Sequence, residues 1–257
     1  MTGAEHVGER PRVRTGAATD VGRVRDHNED AALVLDGLYL VADGMGGHAA
    51  GEVASGIAVA TMGELAGREP LSGDEVTAQV RAANRRILEA VTTHPERRGM
   101  GTTLTGLALV TVDEEWRWLV LNVGDSRTYR LAGGELTRVT VDHSEVQQLV
   151  DAHVITAEQA RVHPARNIVT RSLGTHSAHR VDTTQLEIRP GETFVVSSDG
   201  LTEELTDDEI RDIVIAHPDP QDAASQLVRE AVAAGGRDNV TVVVVTTDDA
   251  VADTVGR

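Results

Sequence analysis

The fold of this chain is decided by residues 31–65, which read AALVLDGLYLVADGMGGHAAGEVASGIAVATMGEL. Apolar runs at 31–35 and 38–42 flank the dipeptide Asp36–Gly37, and this pattern predicts two antiparallel strands joined by a hairpin turn. From Ala49 to Leu65, apolar residues recur at three- and four-residue steps, which predicts a helix with one apolar face. The stretch therefore predicts a hairpin that is followed directly by a helix.

The chain continues with a second helix rather than with a third strand. Ser72 and Glu75 have the spacing of a capping box, and the apolar residues after them predict a helix over 74–92. Capping residues mark three further helix starts, at Thr156, Thr206 and Asp219. Further strands are predicted at 103–112, 117–123, 127–131, 135–139, 184–188, 193–197 and 240–246. Because strands and helices are grouped rather than alternating, the sequence favours an α+β layered fold over a doubly wound parallel sheet.

The composition excludes several chemistries. The 257 residues include 41 acidic and 24 basic ones, for a net charge of −17, and every basic residue is an arginine. Without lysine there is no P-loop lysine, no kinase strand lysine and no Schiff base, and without cysteine there is no thiolate nucleophile and no disulfide. The acidic balance argues against a nucleic-acid or anionic-membrane partner. Since no apolar run approaches the roughly 18 residues of a membrane span, we expect a cytoplasmic protein.

Four aspartates stand where an apolar, strand-like run begins or ends, namely Asp43, Asp125, Asp199 and Asp238. A single Asp-Gly pair is most often a turn, but four such positions next to long apolar runs are harder to explain as turns alone. Carboxylates at strand ends face the edge of a core, where burial and like charge are costly unless a cation is present. Hard oxygen ligands of this kind suit Mg²⁺ or Mn²⁺.

A fifth charged segment precedes the first strand of the hairpin. Residues 23–30 read RVRDHNED and place two arginines beside Glu29 and Asp30. The segment is either a solvated, self-paired charge cluster or an acidic pair near the metal with an arginine placed to bind an anion through two hydrogen bonds.

Taken together, these residues resemble the metal-dependent protein phosphatases, the PPM or type-2C family of serine/threonine phosphatases, and above all their stand-alone bacterial members. The matching segments are, in chain order, TDVGRVR at 19–25 with NED at 28–30, ADGMGGH at 42–48, GMGTT at 99–103, NVGDSR at 122–127, DHS at 142–144, SSDGL at 197–201 and DNVT at 238–241. Each segment is weak alone, but their order is specific and they extend over nearly the whole chain.

The resemblance implies a four-layer αββα sandwich, in which two mainly antiparallel sheets lie between pairs of antiparallel helices. It implies one catalytic domain over 12–247, with tails at 1–11 and 248–257 and a flap segment at 143–180. It also implies two Mn²⁺ or Mg²⁺ ions in a cleft at one end of the sheets, with a third, weaker ion beside them.

The resemblance further assigns roles to single residues. Asp43 would bridge both metals, Asp199 and Asp238 would bind the first metal, and the carbonyl of Gly44 would bind the second.

Three more acidic residues and one arginine complete the implied site. Glu29 and Asp30 would hold the second metal or its waters, and Asp125 would share the third metal with Asp199. Arg25 would bind the phosphate of the substrate. The implied reaction is hydrolysis of phosphoserine or phosphothreonine by a metal-bridging hydroxide, with phosphorylated proteins as partners, a Ser/Thr kinase that supplies them, and a monomeric enzyme.

One position departs from many family members. Met45 follows the metal-binding Asp-Gly where eukaryotic members often have a histidine that serves as general acid. His48 lies three residues further on and is a candidate catalytic acid, although it also fits a structural role at the start of the first helix.

Competing interpretations concern both the motif and the activity. Residues 44–49 match G-x-G-x-x-A, a dinucleotide-binding pattern, but the next element is a second helix rather than the returning strand of a βαβ unit.

The chain could also be a dedicated regulatory phosphatase of one partner-switching phosphoprotein, or a non-catalytic module that binds phosphoproteins. Retention of all four strand-end aspartates favours an active enzyme.

Overall fold

The structure, a computed structural model, describes residues 9–46, 50–175 and 180–248. His48 and most of the two predicted tails lie outside these ranges. The described strands are β1 Val13–Asp20, β2 Ala31–Leu35, β3 Leu38–Ala42, β4 Gly44–Met45, β5 Gly101–Thr102, β6 Leu104–Val112, β7 Glu115–Val123, β8 Arg127–Ala132, β9 Glu135–Arg138, β10 Asp182–Glu187, β11 Thr193–Ser197 and β12 Val240–Thr247. The described helices are α1 Ala50–Gly63, α2 Gly73–Thr93, α3 Glu145–Asp151, α4 Ala157–Arg161, α5 Asp199–Glu204, α6 Asp207–Ala216 and α7 Pro220–Ala234.

Ten of these strands form two five-stranded sheets. Sheet 1 has the order β10-β7-β6-β3-β2, and sheet 2 has the order β1-β12-β11-β8-β9. Every pairing in both sheets is antiparallel. The short strands β4 and β5 pair with each other outside the two sheets.

Strand β3 shows why the two sheets stack face to face. All five of its residues are buried, so the strand has no solvent face. Leu38 and Leu40 pack in one apolar cluster with α1 and α2, whereas Tyr39 and Val41 pack in another cluster with sheet 2. Because side chains alternate between the faces of a strand, a helix layer lies on one side of sheet 1 and the second sheet on the other.

Three of the few aromatic residues fill the space between the sheets. The ring of Trp118 lies edge-on to those of Tyr39 and Phe194, with centroid distances of 6.1 and 5.9 Å. Beyond sheet 2, helices α5, α6 and α7 pack on β12 and its neighbours in a separate cluster. The predicted four-layer αββα sandwich is therefore confirmed.

The helix starts follow the predicted capping chemistry. The side chains of Ser72, Thr156 and Thr206 each accept a hydrogen bond from the backbone N–H three residues on. The Glu or Gln side chain at that third position accepts in turn from the backbone N–H of the capping residue. Asp219 accepts from the two backbone N–H groups at the start of α7, where Pro220 is the first helical residue.

Several elements were not predicted, among them the short strands β4 and β5, helix α3, strand β1 and helix α5. Strand β1 contains small residues with weak strand preference, and it forms because its whole length pairs with β12, from Val13 opposite Thr247 to Asp20 opposite Val240. Helix α5 begins at Asp199, where the sequence pattern indicated only the end of a strand.

The segment between β9 and β10 carries the short helices α3 and α4. Its two ends are held together, since Ser144 forms an antiparallel bridge with Val169 and the Thr170 N–H donates to the His143 carbonyl. The domain limits and the flap limits of 143–180 stay predictions. No helix within the described ranges has both the length and the apolar character needed to cross a bilayer.

Candidate metal and phosphate site

One edge of the sandwich gathers the ends of strands from both sheets. Strands β3, β7 and β11 end there and are followed by Asp43, Asp125 and Asp199, whereas β12 begins there, just after Asp238. In antiparallel sheets, neighbouring strands alternate in direction, so one edge collects the ends of some strands and the starts of others. Residues far apart in sequence therefore meet at this edge.

A cavity of about 650 Å³ opens at this edge. Seven of the predicted site residues line it: Arg25, Glu29, Asp43, Gly44, Asp125, Asp199 and Asp238. Asp30 does not line the cavity, and His48 lies outside the described residues. Asn167 and Val169, in the segment that leads back towards β10, also line the cavity.

Asp43 and Asp199 form the centre of the site. Both carboxyl groups line the same cavity, where the negative charge of Asp199 acts on Asp43. Burial raises the pKa of both carboxyl groups well above the ordinary value, and the neighbouring carboxylates raise it further. Like charges this close are stable only if protons or cations neutralise them.

Burial also raises the pKa of two further aspartates, Asp125 and Asp30. Burial, followed by the charge of Asp142, raises the pKa of Asp125 to about 7. Burial raises the pKa of Asp30 to about 6, although the Ser198 hydroxyl, which donates to its carboxylate, opposes the shift.

Asp30 lies behind the cavity wall rather than in it. Its Oδ2 accepts a hydrogen bond of 2.8 Å from the Ser198 hydroxyl, whereas its buried Oδ1 has no partner. A buried carboxylate oxygen without a donor is costly, and a cation or a water bound to a cation would satisfy it. This position fits the predicted role of Asp30 in holding metal waters better than a role as a direct ligand.

The donor set fits hard divalent cations. It consists of carboxylate oxygens and backbone carbonyls, with no sulfur, which is the chemistry that Mg²⁺ and Mn²⁺ prefer. Within the described ranges, however, no three histidine or acidic side chains already surround one common metal position. The side chains share a cavity and a charge imbalance, and the ligand geometry itself stays a prediction.

Arg25 does not project freely into the cavity. Its Nη2 donates a hydrogen bond of 2.6 Å to Asp238 Oδ2, so the predicted phosphate-binding residue pairs with a predicted metal ligand. The guanidinium therefore occupies part of the space in which a cation at Asp238 would bind. With half of its side chain exposed, Arg25 can also reach solvent at the mouth of the cavity.

Glu29 and Gly44 lie where the hairpin meets α1. Glu29 Oε1 accepts from the Gly51 N–H at 3.2 Å, at the positive end of the helix dipole, and the Glu29 carbonyl accepts from the Gly44 N–H. A Cβ on Gly44 would lie 2.3 Å from the Gly51 carbonyl, so only glycine allows this close approach.

Sequence reasoning did not assign roles to the residues that hold these groups in place. Thr103 Oγ1 accepts from the Asp43 N–H and also bonds to the hydroxyl of Ser126, which follows Asp125. Asn239 bonds to three backbone groups of the segment that carries Arg25 and Glu29. Both residues lie inside the quoted motifs, and their polar side chains next to buried strands were the available signal.

Comparison with known proteins identifies the class. The profile of the family described as Protein phosphatase 2C matches residues 23–233, and the chain belongs to this family.

Individual relatives agree with this assignment. The serine/threonine protein phosphatase PstP of Mycobacterium tuberculosis is 41% identical over 235 residues, which are 90% of this chain and 44% of PstP. The serine/threonine phosphatase stp of Listeria welshimeri is 35% identical over 88% of this chain and 93% of its own length. A crystal structure of the PstP catalytic domain in complex with two manganese ions superposes with a TM-score of 0.83, at 38% identity over 92% of this chain and 99% of that one. This chain therefore spans less than half the length of the mycobacterial relative.

Proposed function

We propose that this chain is a metal-dependent protein serine/threonine phosphatase that hydrolyses phosphoserine and phosphothreonine. The observation that carries the proposal is the meeting of Asp43, Asp125, Asp199 and Asp238 in one cavity, with Arg25 at its mouth. Membership in the Protein phosphatase 2C family and the names of the relatives support the activity.

The cofactor would be two Mn²⁺ or Mg²⁺ ions, with a third, weaker ion at Asp125. Asp43, Asp199 and Asp238 would hold the first two ions together with the Gly44 carbonyl, and Glu29 and Asp30 would act through waters. When bound, such ions activate water as a nucleophile and neutralise charge on a phosphoryl group. The manganese ions in the PstP catalytic domain are consistent with this donor set.

The chain's own residues bind and orient the substrate. Arg25 would donate two N–H groups to the phosphate, a geometry that a guanidinium provides and an ammonium does not. Loss of the ion pair with Asp238 would free the guanidinium for that role when a cation takes its place. Asn167 and Val169 would contact the polypeptide on either side of the phosphorylated residue, since both line the cavity.

The finer parts of the proposal concern the setting. Phosphorylated proteins are the proposed partners, with a Ser/Thr kinase as the source of the phosphate and a monomeric, cytoplasmic enzyme as the acting form. The net charge of −17 supports the absence of a nucleic-acid or membrane partner, because the mean field repels polyanions.

The test is phosphate release by the purified chain from an aryl phosphate and from phosphoserine and phosphothreonine peptides, with Mn²⁺ or with chelator. We expect turnover with Mn²⁺, none with chelator, and none from Asp199→Asn. Mn²⁺ binding without turnover on any substrate would contradict the proposal and favour the non-catalytic binding module. Turnover confined to one phosphoprotein would instead favour the dedicated regulatory phosphatase.

A further inference from the structure

His143 lies at the root of the segment that follows β9, and both of its ring nitrogens are engaged. The side chain is 8% exposed. Its Nδ1 lies 3.0 Å from the Gly124 N–H, and its Nε2 lies 3.1 Å from Asp182 Oδ2. The residue therefore connects the turn after β7 with the start of β10.

The Gly124 contact fixes the tautomer of the ring. A backbone N–H can only donate, so Nδ1 must accept and the ring proton must be on Nε2, which then donates to Asp182. Burial lowers the pKa of His143, which keeps the ring in this neutral form. Arg171 Nη1 donates to the other oxygen of Asp182 at 2.8 Å and also lies 2.9 Å from Nε2. Since both nitrogens carry protons in this tautomer, that contact is not a hydrogen bond, and Asp182 accepts from both groups.

His143 also binds the second polar group of Gly124. Its backbone N–H donates to the Gly124 carbonyl at 2.9 Å, so one residue satisfies both backbone groups of that glycine. Gly124 has a φ of +114°, and a Cβ there would lie 2.5 Å from the Thr103 side chain. The turn that directs Asp125 into the cavity is thus a conformation that needs an external support.

We propose that His143 is a positioning residue, which fixes the Gly124–Asp125 turn through its Nδ1 and links that turn to Arg171 through Asp182. The proposal rests on the proposed function for the role of Asp125. Loss of the imidazole would leave the Gly124 N–H without its buried acceptor and would let the Asp125 carboxylate move away from the cavity. Since Arg171 belongs to the returning part of the predicted flap, the same contacts couple the flap to Asp125.

The experiment compares His143→Ala with His143→Asn. The amide oxygen of asparagine can take the place of Nδ1 as acceptor, whereas alanine offers none. His94→Asn is the matched control, because His94 is exposed at the C-terminal end of α2 and its ring bonds to the neighbouring Thr93 hydroxyl, far from the Gly124 turn in sequence.

The first readout is hydrogen exchange of the Gly124 amide, which does not depend on activity. We expect exchange about tenfold faster in His143→Ala, close to wild-type exchange in His143→Asn, and no change in His94→Asn. Unchanged protection in a folded His143→Ala, or equal loss in both His143 variants, would overturn the proposal.

The second readout is Mn²⁺ titration by calorimetry. We expect His143→Ala to weaken only the lowest-affinity Mn²⁺ site, by about tenfold, because Asp43, Asp199 and Asp238 are not held by this contact. Equal weakening of all sites would overturn the positioning role. If His143→Ala does not fold, Asp182→Ala removes the acceptor for Nε2 while it leaves the ring in place, and the same two readouts apply.

A wild-type chain without Mn²⁺-dependent turnover would refute the proposed function. The exchange of the Gly124 amide would still show whether His143 supports the Gly124–Asp125 turn, because that measurement does not depend on activity. The two failures are therefore distinguishable.

Discussion

At the scale of single residues, the site is defined by repulsion among buried carboxylates, which the protein's own side chains do not fully neutralise. The pKa values of Asp43 and Asp199 lie well above the ordinary value, because burial and neighbouring carboxylates disfavour the charged forms. The same repulsion that makes the metal-free site costly makes it a strong binding site for cations.

Asp43→Asn removes a central carboxylate without a change of size. We expect metal-dependent turnover to fall below detection, because Asp43 is the proposed bridge between two ions. In chelator the variant should melt at the same temperature as the wild type or higher, since one buried charge is gone. Phosphate release and thermal melting check both parts.

The matched control for this prediction is Asp208→Asn, an aspartate with 81% of its side chain exposed on α6. It should change neither measurement. Turnover close to that of the wild type in Asp43→Asn would show that the ligand assignment is wrong.

Arg25→Ala separates phosphate binding from metal binding. We expect KM for a phosphopeptide to rise by about tenfold, because a charge-assisted pair of hydrogen bonds to the phosphate is lost. Affinity for Mn²⁺ should stay equal or increase, because the guanidinium no longer competes for Asp238. Steady-state kinetics and calorimetry measure the two effects.

Arg23→Ala serves as the control for Arg25, because Arg23 is exposed nearby and does not line the cavity. An unchanged KM in Arg25→Ala would remove Arg25 from the phosphate site. Weaker Mn²⁺ binding would contradict the competition at Asp238.

At the scale of elements, the segment between β1 and β2 depends on one side chain that directly precedes β12, the strand paired with β1. Asn239 accepts from the Glu29 N–H at 2.8 Å and donates to the carbonyls of Val21 and His27, each at 2.9 Å. Arg25 lies within this loop, so its position depends on bonds made by a residue more than 200 positions later in the chain.

Asn239→Ala should therefore destabilise the fold and disturb the substrate site together. We expect a loss of about 2 kcal/mol in the free energy of unfolding, from three unmade hydrogen bonds that water partly replaces, and a higher KM. Urea denaturation and kinetics on the same preparation provide the measurements.

Gln79→Ala is a control that weakens the fold elsewhere, because Gln79 donates from α2 to the Thr61 carbonyl of α1. It should lower stability and leave KM unchanged. If Asn239→Ala behaves in the same way, the loop does not need Asn239 to position Arg25.

The strands show which elements can be predicted from the local sequence pattern and which cannot. Both strands of the first hairpin have the predicted bounds, 31–35 and 38–42, since alternation and a turn dipeptide specify them locally. Strand β1 was missed because its small residues become a strand only through their pairing with β12.

At the scale of the whole molecule, the buried carboxylates couple stability to pH and to metal. Burial raises the pKa of Asp125 to about 7 and that of Asp30 to about 6, from an ordinary value of 3.8. At pH values between the ordinary pKa and these raised pKa values, the folded, metal-free protein binds more protons than the unfolded chain. Its stability therefore falls as the pH rises through this range. His143, whose pKa burial lowers, acts in the opposite sense, but it is one group against four carboxylates.

We therefore expect the melting temperature in chelator to fall between pH 5 and pH 8. Excess Mn²⁺ should reduce or reverse the fall, because cations replace protons as the neutralising charge. Asp125→Asn should flatten the profile in chelator. A melting temperature in chelator that rises over this range would contradict the assignment of these carboxylates to one buried cluster.

The sequence by itself determined the features that depend on neighbours along the chain. These are the strand alternation, the hairpin at Asp36–Gly37, the helix caps and the aspartates at strand ends, from which the layered α+β fold and seven residues of the cavity were predicted. Short-range spacing specifies them because side-chain direction repeats every two residues in a strand and every 3.6 in a helix.

Which of these groups touch follows from the folded arrangement of sheets and loops. The pairing of Arg25 with Asp238, the withdrawal of Asp30 behind the cavity wall and the contact of His143 with Gly124 join residues 19 to 213 positions apart. Such contacts depend on how the sheets stack and where the loops cross, and a difference of a few ångströms decides between a metal ligand and its support. Local pattern carries no information at that scale, because hydrogen bonds and charge pairs depend on distance in space and not on separation along the chain.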